Sequence, residues 1–92
     1  MQEKVFYIDM SEVTTKDELQ DLLAKELPLP DYYGRNLDAL HDILTESAEG
    51  WNIIFYNTTI AARLLGKYYN ALTRLAEESC EETDQLKIRF YP

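Results

Sequence analysis

Asp38, His41 and Asp42 stand at i, i+3 and i+4 in the run Asn36-Leu-Asp-Ala-Leu-His-Asp-Ile-Leu44. On a helix, those positions share one face. Two carboxylates and an imidazole so placed admit two kinds of chemistry. The first is a metal site or an acid–base cluster. Ligands from adjacent turns of one helix leave such a site incomplete, and His41 is the only histidine in the chain. A nucleophilic pair of Cys80 with His41 would need a third group and an oxyanion hole, which nothing in the sequence proposes. Cys80 reads instead as a small, partly buried filler near a helix end. The second kind is electrostatic: fixed negative charge presented to a cationic cleft. That task needs carboxylates on a rigid element and an aromatic anchor, and it needs neither a nucleophile nor a cofactor. The expectation is therefore a binding protein rather than an enzyme, with no cofactor and no metal.

The neighbouring residues suit the electrostatic task. Leu37, Leu40 and Leu44, with Ile43 beside them, take a different face of the same helix, so packing the leucines turns the carboxylates outward. Asn36 is a suitable N-cap, which places Asp38 in the first turn, where free N–H groups and the helix dipole favour an anion. Tyr32 and Tyr33 precede this face and offer large contact area for few rotatable bonds. One of the two is expected to pack under the loop, and Tyr33 is the better candidate. Pro28 and Pro30 frame the loop and limit the entropy lost when it docks. Gly34 offers a position that tolerates positive φ.

The elements that must carry this segment can be read in order. Lys4–Ile8 is a short apolar run expected to form a strand buried on both faces. Thr15-Lys-Asp-Glu18 reads as a capping box before Leu19, Leu22 and Leu23 at helical spacing. After the loop and second helix, Trp51–Tyr56 reads as another strand. Ile60–Leu65 reads as a short helix closed by Gly66, and Tyr69, Leu72, Leu75 and Ala76 mark a helix running toward Cys80. Leu86, Ile88 and Phe90 alternate with Lys87, Arg89 and Tyr91, as in an edge strand with one wetter face. The order β-α-α-β-α-α-β implies an α/β fold with a parallel sheet packed against helices. At 92 residues, one domain over 1–92 is expected.

Charge narrows the class of partner. The formal net charge is −8, which argues against direct nucleic-acid binding because phosphates would be repelled. It favours encounter with a basic protein. Residues 1–50 carry twelve acidic and four basic side chains, and residues 51–92 carry five of each. The field thus arises in the half that holds the loop and acidic helix. Plain solubility is the simplest alternative source of such charge. One cysteine allows no intramolecular disulfide, and neither a leader nor a membrane span is read. A cytoplasmic protein is therefore expected.

The segment from Lys25 to Thr45 closely resembles the inhibitory loop and helix of the barstar family, intracellular inhibitors of barnase-type ribonucleases. Glu26-Leu27, Leu29-Pro30, Tyr32-Tyr33-Gly34, Asn36-Leu37-Asp38-Ala39-Leu40, Asp42 and Leu44-Thr45 carry the resemblance. It implies a barstar-like three-stranded parallel sheet and a basic, barnase-like ribonuclease bound 1:1. It also implies that Tyr32, Gly34, Asn36, Asp38 and Asp42 face the enzyme, with Arg35 and His41 on the same surface. Asp42 would be the central contact, Asp38 its support, and Glu77 an outlying acidic contact. Carboxylates so held can satisfy the donors that bind substrate phosphates. Three residues depart from the family pattern: His41 replaces a tryptophan, Arg35 a glutamate, and Ser47 an interfacial aromatic. On this reading Arg35→Glu is expected to strengthen binding to a barnase-type enzyme. The alternative is an immunity or regulatory module for a different basic nuclease or protein.

Overall fold

The computed structural model describes residues 3–92. Its elements are β1 (Lys4–Asp9), α1 (Lys16–Glu26), α2 (Leu37–Ser47), β2 (Trp51–Tyr56), α3 (Thr59–Leu65), α4 (Lys67–Glu82) and β3 (Lys87–Phe90). The strands form one sheet in the order β1-β2-β3, with both pairings parallel. This is the α/β architecture expected from the order of elements.

Period-two alternation sorts the side chains of the sheet. On β2, Trp51, Ile53 and Phe55 are buried while Asn52, Ile54 and Tyr56 are half-buried. Register aligns Phe6 with Ile53 and Ile88, and Ile8 with Phe55 and Phe90. These rows face the helices. The Phe55 and Phe90 rings stack with centroids 4.7 Å apart, and Tyr69 of α4 meets Phe90 edge-on at 5.8 Å. Leu19 and Leu23 of α1, Leu40 and Leu44 of α2, and Leu72 and Leu75 of α4 complete the core.

Two expectations need correction. β1 is not buried on both faces: Val5 is 42% and Tyr7 63% exposed. The strand lies at an edge and helices cover only one side of the sheet, so its apolar run is continuous without being continuously buried. Positive φ falls not at Gly34 but at Arg35, with φ 55°. What Gly34 provides is room, because a Cβ there would stand 3.3 Å from Asn36 Nδ2 and 3.4 Å from Ala39 Cβ.

The caps follow the sequence. Thr15 Oγ1 accepts from the Glu18 N–H, and Glu18 Oε1 accepts from the Thr15 and Thr14 N–H groups and the Thr14 hydroxyl. These bonds, led by the Thr14 hydroxyl, hold the Glu18 carboxyl below its ordinary pKa. At the far end of the molecule, Thr83 Oγ1 donates to Leu44 O at 3.0 Å, fastening the end of α4 to α2. Among the described residues, no helix is long and apolar enough to cross a membrane.

Candidate functional site

The loop from Leu27 to Asn36 is held by hydrogen bonds along its length. Leu29 N donates to Leu27 O at 2.8 Å around Pro28, and Tyr33 N to Pro30 O at 3.0 Å. Asn36 then closes it. Its Oδ1 caps the Ala39 N–H at 2.8 Å, its Nδ2 donates to Gly34 O at 3.2 Å, and its carbonyl accepts from Leu40 N. A relay anchors the loop to the body: the Tyr33 hydroxyl donates to Gln20 Oε1, and Gln20 Nε2 donates to the Tyr68 hydroxyl at 2.8 Å. Gln20 is 2% exposed, so the relay runs inside the fold. Burial, then the neighbouring Tyr68, pushes the Tyr33 phenol up to about 12, with the Gln20 bond opposing.

The two tyrosines therefore separate as expected. Tyr33 is the anchor, whereas Tyr32 stands 87% exposed. Tyr32 lies at a groove of about 560 Å³ between the loop and α2, together with Pro28, Pro30, Asp42, Glu46 and Ser47. Asp38 and Asp42 are exposed on the outer crest of α2, while Leu40 and Leu44 are buried beneath. Neither carboxylate has a hydrogen-bond or ion-pair partner among the described residues. The cause is visible at element scale: α2 is seated by its leucines on one side and its Asn36 cap at one end, which leaves the crest nothing to touch.

The trio read from the sequence divides. His41 leans away from the crest toward α4, where its Nε2 lies 2.9 Å from Glu82 Oε2. Asp38 and His41 line a smaller groove with Ala71, Arg74 and Glu78. Glu77 is exposed on α4 but not part of that groove; Glu78, about 100° further round the helix, takes that place. Arg35 turns back onto α1, with Nη2 2.7 Å from Asp21 Oδ1 and 3.5 Å from Asp17 O. Cys80 is half-buried on α4, and burial raises its thiol pKa, opposite to what a nucleophile requires.

One residue at the groove was missed. Glu46 follows Asp42 by four, as Asp42 follows Asp38, so the three carboxylates ascend the crest as a ladder. The spacing was available in the sequence. The Arg35–Asp21 and His41–Glu82 pairs were not, because each joins separate elements.

Residues 3–91 match the family model described as Barstar (barnase inhibitor). The chain is 37% identical over 87 residues to "Putative ribonuclease inhibitor YrdF" of Bacillus subtilis (strain 168), covering 88% of this chain and 91% of that protein. The matched span takes in the sheet, the four helices and the loop with its crest, and it places the chain in a family of inhibitors rather than enzymes: the protein belongs to the barstar family.

Proposed function

We propose that this protein inhibits a barnase-type ribonuclease, one to one, by seating the Tyr32 loop and the α2 crest in the cationic active-site cleft. The observation that carries the reading is the pair of carboxylates, Asp38 and Asp42, without a partner among the described residues, beside a fully displayed Tyr32 on a hydrogen-bonded loop. Arginine and lysine side chains that bind substrate phosphates can instead donate to these carboxylates. The inhibitor supplies substrate-like charge without a scissile bond. Because loop and crest are already ordered, little conformational entropy is lost on docking. Asp42 is the central contact, with Asp38 and Glu46 flanking it. A single cysteine, which can form no intramolecular disulfide, suits the reducing cytoplasm in which such an inhibitor would guard its host.

The test is a titration into a barnase-type ribonuclease assay at low and physiological salt, beside Asp42→Ala. Stoichiometric inhibition is expected. Leaving the enzyme's buried cations unpaired in the variant should cost about 3–5 kcal/mol of affinity. Absence of inhibition at both salts would remove barnase-type enzymes as the target and favour an immunity role against another basic nuclease.

A further inference from the structure

The outer face of the sheet has no layer over it, although parallel sheets are ordinarily covered on both sides. Register sets out its rows as Val5–Asn52–Lys87 and Tyr7–Ile54–Arg89, with Asp9 beside Tyr56 at the end. Four of these eight side chains, Val5, Tyr7, Ile54 and Tyr56, are aromatic or β-branched, and Tyr91, just beyond β3, is 46% exposed. Within a chain of net charge −8 this face is not acidic, since Lys87 and Arg89 outnumber Asp9.

The charges are also sorted by flank. The basic residues lie on β3. On the β1 flank the face opens into a groove of about 620 Å³ against α1, lined by Tyr7, Tyr56 and Leu22 and by the carboxylates of Asp9, Glu12 and Glu26, which outnumber its one cation, Lys25. Lys87 is tied to Glu3 at 3.4 Å, whereas Arg89 has no ion-pair partner among the described residues. Across the sheet the surface therefore runs acidic, apolar, basic.

We infer that this face is the interface between two copies of the chain. A two-fold axis along β2 lays β1 of one copy over β3 of the second and sets Ile54 against its own equivalent. The same operation carries Arg89 onto the second copy's Tyr7 and the acidic groove beside it, and does so twice, as a closed interface requires. A guanidinium over a tyrosine ring and among carboxylates is a favourable pairing on both counts. Elsewhere two such acidic molecules repel, so this face is where they can meet. The α2 crest remains free in both copies, because Leu40 and Leu44 seat α2 against Ile53 and Phe55 on the opposite side of the sheet. The dimer thus presents two separate docking crests.

Sedimentation equilibrium up to about 1 mM, where even a weak dimer is populated, decides the matter. The wild-type chain is expected to show a monomer–dimer equilibrium. Arg89→Glu and Glu12→Arg should each raise the dissociation constant at least about tenfold. Mixing the two variants should restore association, because each then faces its complement. Unchanged circular dichroism and urea midpoints would show that these surface variants remain folded. A wild-type chain that stays monomeric throughout overturns the inference. So does a dimer indifferent to both variants, or a monomer whose groove binds a lysine-rich peptide instead.

Discussion

Arg35 occupies a left-handed backbone conformation, a costly place for a side chain with a Cβ. Its guanidinium pairs with Asp21 across to α1. The residue therefore pins the loop at the expense of local strain. Arg35→Ala should lose the pin and keep the strain, whereas Arg35→Gly loses the pin and relieves the strain. We expect the glycine variant to be the more stable of the two by about 1 kcal/mol, read as the difference in urea midpoint. The same geometry tempers the expectation for Arg35→Glu, since a glutamate there would meet Asp21. Tyr33 gives a second test. Its folded pKa is raised, so the neutral phenol is favoured in the fold. Its contribution is complete below pH 10, where the unfolded phenol begins to ionise, and is lost as pH climbs toward about 12. Stability of the wild type should fall over that window more steeply than that of Tyr33→Phe, measured by urea denaturation at each pH.

Among the elements, α2 was the most legible. Its cap, the leucine spacing and its acidic crest are all local patterns, and the folded helix begins where the Asn36 cap says. Both strand β2 and the capping box of α1 were legible for the same reason. The lean of His41 and the turn-back of Arg35 were not, because each depends on a residue from a distant element. Nor was the one-sided cover of β1, since an apolar run does not reveal which of its faces another layer will reach. The role of Gly34 also lies at this scale. A methyl group there crowds the Asn36 carboxamide that caps α2. Gly34→Ala should cost about 1 kcal/mol of stability through the weakened cap. Because the cap orients the crest, it should also raise the inhibition constant of the proposed complex, measured in the ribonuclease assay.

For the whole molecule, the parallel topology dictates that every strand pairing spans an intervening helical crossover. β2 meets β1 early in the chain but gains its second neighbour only from Lys87–Phe90. α2 shares this dependence, since its carbonyl at Leu44 is bonded by Thr83, His41 reaches Glu82, and its leucines share the core with Leu72 and Leu75. The α2 crest is therefore written in the middle of the message but assembled at its end. On a ribosome, the loop and α2 emerge well before the segment that seats them, and a helix this short does not hold itself in water. A nascent chain stalled before Lys67 should capture no ribonuclease, while one released in full should. The timing of synthesis thus withholds the proposed decoy until the fold that aims it is complete.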